Sequence, residues 1–294
     1  MRNFTTKILS YFLFGVLILL SLLPFWVLYG IADLLAFILC YVLRYRKKVV
    51  MKNLEGSIQG DSNAKKIIWP FYRFLADVFV ESIKCFTISK KNLLKRIICV
   101  NPEIMEQYAQ KNKSVIFMSA HYCNWEYLIY SMNLLFPHWA IGVGKPLSNA
   151  VMNKLTNARR SRFGMKIINA KNIKEEFQKD KDKLTANLFL SDQYPGGKSK
   201  GYHCVFLNKE TDFLYGAEKY AAEYDYSVVY GDFRRLKRGR YQIEIIKITD
   251  KPKETEFGYI MSIYVGLLQK SILSQPEFWL WSHKRWKHLP NFYG

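Results

Sequence analysis

An uncharged apolar run near the N-terminus constrains this chain more than any other feature. No charged residue occurs in Ile8–Gly30, and Asp33 is the first acidic or basic residue after Lys7. A helix needs about 20 mainly apolar residues to cross the hydrocarbon core of a bilayer. The apolar core of a secretory signal peptide is shorter, about 7–15 residues, and small residues follow it at the cleavage site. The run therefore predicts an uncleaved membrane anchor, in preference to a signal peptide or a buried core helix.

Pro24 interrupts the apolar region, and two arrangements of its second half remain open. Residues 25–43 either cross the membrane again or lie as an apolar helix at its interface. We favour one span followed by an interfacial helix, because Asp33 at the bilayer midplane would cost about 2.5–3.5 kcal/mol. Arg2 and Lys7 precede the region, whereas five basic residues follow it. These are Arg44, Arg46, Lys47, Lys48 and Lys52. This asymmetry predicts that the rest of the chain is cytoplasmic, with the basic group against an anionic membrane surface.

The net charge of +20 indicates an anionic partner. The 294 residues include 44 Lys and Arg against 24 Asp and Glu. Nucleic acid, an anionic membrane or an acidic protein would each suit a basic surface, and the apolar anchor favours the membrane. Half of the residues are hydrophobic, which excludes intrinsic disorder. The five scattered cysteines exclude a disulfide scaffold and favour reduced thiols.

We expect three segments along the chain. Residues 1–43 form the membrane anchor and interfacial helix, and residues 44–113 form a helical membrane-proximal segment. From residue 114 onward, short apolar runs alternate with polar stretches of helical length, which is typical of an α/β fold. Residues 114–294 are therefore predicted to form a mixed β-sheet sandwiched by helices, with the last helices at Glu254–Leu273 and Glu277–Lys287.

A histidine and a glutamate follow the first predicted strand of this domain. His121 comes directly after Ser114–Ala120, and Glu126 lies five residues further on. Residues five apart on a helix are about 140° apart around its axis, so the two side chains meet only if His121 lies on the turn before the helix. We then expect Glu126 to accept a hydrogen bond from one imidazole nitrogen, which leaves the other free to take a proton. A turn histidine bonded to backbone is the alternative, but α/β sheets place their sites at strand ends.

Together with the anchor and the basic composition, this spacing resembles the glycerolipid and lipid A acyltransferases. The late (lauroyl/myristoyl) branch of the lipid A enzymes is most similar, because four further segments resemble it in the same order. These segments are Arg46–Lys48 with Asn53 and Leu54, Lys145–Asn149 with Arg159–Gly164, Ser191–Gly196, and Gln275–Lys287. The last segment, with its Trp-Leu-Trp and basic residues, is the most specific of the four.

The resemblance implies transfer of an acyl chain from a thioester to a hydroxyl of a lipid A precursor. The donor would be acyl-acyl carrier protein or acyl-CoA, and no cofactor is implied. His121 would be the general base and Glu126 its orienting carboxylate. Five further side chains are implied to bind substrate: Lys145, Arg160, Arg162, Asp192 and Gln193. The resemblance also implies a catalytic domain of glycerolipid acyltransferase type on the cytoplasmic side of a bacterial inner membrane.

Several of these features have a second interpretation. Arg160 and Arg162 suit headgroup phosphates because guanidinium binds phosphate through two hydrogen bonds, but they could also form a solvated basic face. Asp192 could simply cap the following turn. The basic cluster Arg234–Arg240 either docks an acyl carrier protein or anionic lipid, or is a solvated turn. For the tryptophans of the last predicted helix, we favour the membrane interface over core packing; these are Trp279, Trp281 and Trp286.

Two other functions remain possible on the sequence. An acyltransferase for a different acceptor, such as a lyso-phospholipid or an amino-acid lipid, would carry similar motifs. A non-enzymatic basic protein that binds a membrane or nucleic acid would explain the charge but not the ordered motifs, so we expect no nucleic acid partner. The remaining histidines lack metal-ligand spacing, and we expect no metal site.

Overall fold

The α/β part of the chain forms a seven-stranded mixed sheet flanked by helices, which confirms the predicted fold class. The computed structural model describes residues 2–58, 61–196 and 201–293. The helices are α1 (Arg2–Leu22), α2 (Phe25–Phe37), α3 (Lys47–Leu54), α4 (Asp61–Lys84), α5 (Lys90–Leu94), α6 (Glu103–Gln110), α7 (Trp125–Leu135), α8 (Ala150–Arg160), α9 (Ile173–Lys179), α10 (Gly216–Tyr224) and α11 (Tyr259–Ser274). The strands are β1 (Ile97–Cys99), β2 (Val115–Ser119), β3 (Trp139–Gly144), β4 (Lys166–Asn169), β5 (Thr185–Leu190), β6 (Gly201–Phe206), β7 (Lys209–Leu214), β8 (Ser227–Lys237) and β9 (Arg240–Thr249).

Parallel strands occupy the centre of the sheet. The strand order is β1-β9-β8-β2-β5-β3-β4, in which β8 and β9 pair as an antiparallel hairpin. The segment Val115–Ser119 is buried at every residue, as expected for a central parallel strand covered on both faces. Strands β6 and β7 form a separate antiparallel pair. The carboxyl ends of β2, β5 and β3 therefore meet at one edge, where α/β sheets place their sites.

Pro24 divides the apolar N-terminal region into the two helices α1 and α2. It precedes the first residue of α2, where its missing N–H leaves no helical hydrogen bond unmade. A π-helical turn, Ile38–Val42, prolongs α2, so that Phe25–Val42 is a continuous apolar helix with a mean hydropathy of 2.0. Among the described helices it is the one long and apolar enough to cross a membrane, whereas the apolar part of α1, Thr6–Leu22, is shorter. The candidate span therefore lies after Pro24, in the segment for which the membrane interface was preferred.

The contacts of Asp33 show how an acidic residue can be accommodated in this candidate span. Its carboxylate accepts a hydrogen bond from Arg73 Nε at 3.2 Å and from two nitrogens of Arg238 at 2.9 and 3.0 Å. The cost of placing Asp33 at the bilayer midplane applies to an unpaired carboxylate that faces lipid. Ionisable residues in membrane helices normally face protein and pair with other groups, and Asp33 does so here. The acidic residue is therefore compatible with a helix whose opposite face contacts lipid.

Helix α2 packs one face against the rest of the protein and exposes the other. Its inner face contains mostly small side chains that approach α4 closely, and these are buried: Leu28, Ala32, Ala36 and Cys40. On the outer face Trp26 is 77% exposed, Leu34 61% and Phe37 51%. A contiguous exposed apolar surface of this kind indicates an interaction site.

The basic cluster Arg234–Arg240 contributes to the fold, which neither sequence interpretation anticipated. Arg235 Nη2 lies 2.6 Å from Asp77 Oδ2, and Arg238 binds both Asp77 and Asp33. The Asp77 side chain is only 2% exposed. These ion pairs join the β8–β9 hairpin to α4 and α2, so Arg235 and Arg238 belong neither to a docking surface nor to a solvated turn.

The segment expected to be wholly helical, residues 44–113, contains a strand. Ile97–Cys99 pairs in parallel with Tyr241–Ile243 of β9 and extends the sheet by one strand. Two β-branched residues favour an extended backbone, but the available sheet edge is formed by residues more than 140 positions later. Local sequence therefore could not reveal this strand.

The last predicted helix, Glu277–Lys287, is wrong. After a 3₁₀ turn at Pro276–Phe278 the chain continues without regular structure. Its three tryptophans are at most 2% exposed, so they pack in the core rather than at a membrane interface: Trp279, Trp281 and Trp286. Core burial removes both faces of each ring from water, which an interfacial helix would not do.

Candidate active site

The sheet register places His121 beside Asp192. Ser119 at the end of β2 pairs with Leu190 at the end of β5. His121 lies two positions beyond the end of β2, and Asp192 lies two positions beyond the end of β5. The parallel register continues past the strands, because Ser191 N donates to Ser119 O at 3.3 Å. Two side chains that are 71 positions apart in sequence therefore meet at the carboxyl edge of the sheet.

The carboxylate of Asp192 fixes the imidazole of His121. Asp192 Oδ1 lies 2.7 Å from His121 Nδ1, and Trp279 Nε1 donates to Oδ2 at 2.9 Å. Burial opposes ionisation of Asp192, but His121 and Trp279 nevertheless hold the pKa of this carboxyl below its ordinary value. An ionised carboxylate accepts a hydrogen bond from Nδ1–H, so the lone pair of the His121 imidazole is on Nε2. The His121 side chain is 20% exposed, against 3% for Asp192.

The expected hydrogen bond between Glu126 and His121 is replaced by an ion pair between Glu126 and Arg160. Arg160 donates from Nε to Glu126 Oε2 at 3.1 Å and from Nη2 to Oε1. Glu126 lies in the first turn of α7, whose N-cap is Asn124, and this helical position directs its carboxylate toward the end of α8. Burial would lower the pKa of Arg160, but Glu126 raises it above its ordinary value. Asp192, predicted to bind substrate, therefore occupies the position expected of Glu126.

The other predicted substrate-binding residues have different surroundings. Arg162 Nη1 donates to Cys85 O at 2.9 Å and to Ile88 O at 2.7 Å, so it ties the C-terminal end of α4 to α8. Gln193 Nε2 lies 3.5 Å from His121 Nε2, so its amide N–H can donate a long hydrogen bond to the lone pair that would accept the proton. Lys145 is exposed at the end of β3, on the same sheet edge as His121. Thus Gln193 and Lys145 remain near the reacting edge, whereas Arg162 is engaged with backbone carbonyls.

The C-terminal segment holds the turn that carries His121. Cys123 N donates to Phe278 O at 2.8 Å, and Leu280 N donates to His121 O at 3.1 Å. Cys123 has a φ of 49°, a left-handed conformation that is unfavourable for a residue with a side chain. Trp279, between these contacts, is the residue that binds Asp192. Sequence reasoning missed this role, although the Gln275–Lys287 segment was itself the most specific signal.

A second histidine, His283, lies close to the pair. Its Nε2 accepts from Tyr194 N at 3.4 Å, two residues beyond Asp192. Burial lowers the pKa of His283 to about 4, against the opposing effect of Asp192. His283 is therefore neutral in the folded protein at pH 7 and adds no second positive charge beside His121.

This low pKa predicts an acid-sensitive stability. In the unfolded chain His283 takes up a proton below about pH 6.5, while in the folded protein it stays neutral down to about pH 4. The free energy of unfolding should therefore fall as pH decreases through this interval. Because the side chain is partly exposed, we expect the wild type to lose about 1 kcal/mol more than His283→Gln between pH 7 and pH 5. Urea denaturation in one detergent at both pH values measures this difference, and equal losses would contradict the prediction.

Two surface depressions lie on the opposite edge of the sheet from His121. One, of about 600 Å³, is lined by residues near Thr249 and Phe257; the other, of about 430 Å³, by Ser114, Lys183 and Tyr226. These residues lie near the amino ends of β2, β5 and β8, so neither depression holds the reacting groups. Within residues 2–58, 61–196 and 201–293, no three His, Cys, Asp or Glu side chains converge as a metal site would require.

The sequence matches a family model over almost its whole length. The match covers residues 2–288, and the family is described as bacterial lipid A biosynthesis acyltransferase. No curated protein sequence matches the chain at a significant level. The matched range includes the sheet, both N-terminal helices and every residue of the His121 site. The chain therefore belongs to the bacterial lipid A biosynthesis acyltransferase family.

Proposed function

We propose that this protein transfers a fatty acyl chain from an acyl carrier protein thioester to a hydroxyl of a lipid A precursor. His121 acts as general base and Asp192 orients it. The observation that carries this proposal is the 2.7 Å contact between His121 Nδ1 and Asp192, which places the imidazole lone pair on Nε2, where Gln193 makes only a 3.5 Å contact. A neutral imidazole with a free Nε2 and a carboxylate on Nδ1 is the arrangement that removes a proton from a hydroxyl.

In the proposed reaction, each step uses this arrangement. His121 Nε2 takes the proton of the acceptor hydroxyl while its oxygen forms a bond to the thioester carbonyl carbon. The tetrahedral intermediate then breaks its C–S bond, and the imidazolium returns the proton to the leaving thiolate. Asp192 stabilises the imidazolium that exists between these two steps. No residue of the chain is acylated, and the products are an ester and a free carrier thiol.

Arg160, held in place by Glu126, is suited to binding the anionic part of the acceptor. Arg160 is 27% exposed and retains N–H groups that Glu126 does not use. A guanidinium held at two points binds phosphate with little further loss of side-chain freedom. We therefore assign Glu126 to orienting Arg160 rather than His121.

An aromatic wall beside His121 is suited to the apolar chain of a substrate. The Trp125 ring lies 5.3 Å from the imidazole, and Phe74 packs edge-on against both Trp125 and Phe278. Such a wall excludes water from the acyl thioester, and hydrolysis is the side reaction that a transferase must avoid.

We further propose that α2 anchors the protein in the bacterial inner membrane, with the α/β part on the cytoplasmic side. The exposed apolar face of Phe25–Val42 and the basic residues that follow it support this orientation. The acidic acyl carrier protein is also cytoplasmic, and the +20 net charge favours its encounter.

The outer face of α2 provides a test of this anchor. A lysine at the centre of a membrane helix, where Leu34 lies, costs about 2.5–3.5 kcal/mol, and lysines at Trp26 and Phe37 add charge nearer its ends. The triple variant Trp26→Lys, Leu34→Lys, Phe37→Lys should therefore leave the carbonate-washed membrane fraction. A matched control replaces three equally exposed apolar residues elsewhere and should remain membrane-bound: Val205, Leu236 and Phe257. If the α2 variant stays in the pellet, the anchor lies in α1.

The proposed reaction is tested by a transfer assay with defined substrates. Purified protein in detergent receives acyl-acyl carrier protein and, separately, a lipid A precursor, a lyso-phospholipid and an amino-acid lipid, and mass spectrometry identifies the product. We expect one acyl mass to be added to the lipid A precursor. Acylation of another acceptor alone would replace the acceptor class, and no transfer to any acceptor would reject the proposed reaction.

A further inference from the structure

A buried glutamate on α4 connects three separate parts of the protein. Glu81 has no exposed surface. Its Oε1 accepts from Tyr29 of α2 at 2.8 Å, and its Oε2 accepts from Tyr241 of β9 at 2.7 Å and from Asn124 Nδ2. No role for this residue follows from the motifs or from the acyl transfer described above.

The contact with Asn124 links Glu81 to the turn that carries His121. Asn124 Oδ1 caps α7 by accepting from Tyr127 N at 2.9 Å, so its Nδ2 group points the other way, to Glu81. On one side of Asn124 is Cys123 with its left-handed backbone, and on the other is Trp125, whose ring contacts His121. Rotation of the Asn124 side chain would therefore release both the helix cap and the strained turn.

We infer that Glu81 is a positioning residue that fixes the His121 turn by holding Asn124, and that it ties this turn to α2 through Tyr29. The inference rests on the proposed acyl transfer, in which His121 Nε2 must reach the acceptor hydroxyl. Glu81 touches no reacting atom in this scheme. It acts through the orientation of one amide side chain.

In the contact between Asn124 and Glu81, substitutions can exchange the hydrogen-bond donor and the acceptor. Burial raises the pKa of Glu81, while hydrogen bonds from Tyr241 and Tyr29 oppose this effect. A neutral glutamine keeps one oxygen for Asn124 and turns its NH₂ toward Tyr29, whose hydroxyl can also accept. Asp at position 124 still caps α7, but it places a carboxylate against Glu81. With Gln at position 81, the glutamine NH₂ group donates a hydrogen bond to this Asp carboxylate. The direction is the reverse of the wild-type contact, in which Asn124 donates to Glu81.

The test is a cycle of Glu81→Gln, Asn124→Asp and the double variant in the transfer assay, at a temperature where near-UV circular dichroism shows all of them folded. We expect Glu81→Gln to keep kcat within about threefold of wild type. Asn124→Asp should lower kcat about 30-fold with little change in the donor KM, and the double variant should recover at least tenfold of this loss. A double variant no better than Asn124→Asp, or an Asn124→Asp variant with wild-type kcat, overturns the inference.

Two further measurements separate this inference from protein stability and from the proposed reaction. Glu218 is a matched control, because it is also buried, at 3% exposure, and accepts from Gly258 N and Met261 N at the start of α11. Glu218→Gln should leave kcat unchanged even if it lowers the melting temperature. Hydrogen exchange of the peptide covering residues 120–130 should accelerate in Asn124→Asp and return in the double variant. This readout needs no turnover, so it tests the inference even if no acyl transfer is found, and unchanged exchange also overturns it.

Discussion

His121→Ala is expected to lower kcat for acyl transfer by about 10³-fold, within the range of 10²–10⁴ found for general bases. The imidazole lies at the carboxyl edge of the sheet, and a buried carboxylate orients it so that Nε2 can accept a proton. Alanine removes this base, so the hydroxyl of the lipid must attack the thioester without first losing its proton. Initial rates at saturating donor and acceptor measure the loss, and the KM for both should change little.

His138 provides the control for this experiment. It is as buried as a core residue, and its Nε2 contacts Lys113 O near the amino end of β3, on the opposite edge of the sheet. His138→Ala should lower stability but leave the kcat of the folded protein near wild type. Full activity in His121→Ala would remove this histidine from the reaction and with it the proposed mechanism.

Asp192→Asn is expected to cause the second largest loss, about 10²–10³-fold in kcat. The amide cannot take the place of a carboxylate that stabilises the imidazolium, and it favours the wrong tautomer of His121. By contrast, Glu126→Gln weakens only the hold on Arg160. It should act mainly by raising the acceptor KM, by about tenfold, the magnitude lost with one charge-assisted hydrogen bond.

Steady-state kinetics with varied acceptor separates the roles of the two carboxylates. We expect Asp192→Asn to lower kcat and Glu126→Gln to raise the KM for the acceptor. If Glu126→Gln lost kcat as strongly as Asp192→Asn, the Glu126–Arg160 pair would have to rearrange toward His121 during turnover. If Asp192→Asn kept wild-type kcat, its contact with His121 would have no part in the reaction.

Features that depend on a local pattern could be predicted from the sequence. Strand β2 was predicted from a short apolar run and found within one residue at each end. The position of His121 on the turn before α7 followed from the same reasoning. The α/β fold class followed from alternating apolar and polar stretches, and the family from ordered motifs over most of the chain.

Expectations about side-chain partners were less accurate, because they were drawn from neighbours in sequence. Glu126 is five residues from His121, yet its partner is Arg160, 34 positions away. Arg162 was expected to bind phosphate, but it caps the end of α4. The tryptophan-rich segment had the composition of an interfacial helix and became part of the core and of the site.

The sequence by itself determined the apolar N-terminal region, the alternating α/β pattern, the basic charge and the turn that presents His121. These are properties of short segments, set by hydrophobicity, spacing and length. Only the tertiary structure decided which carboxylate faces His121, because the parallel register of β2 and β5 joins residues 71 positions apart. It also paired Asp33, which lies in the candidate membrane helix after Pro24, with Arg238 from a distant hairpin. Long-range pairing is the result of packing the whole chain, and no local window of the sequence contains it.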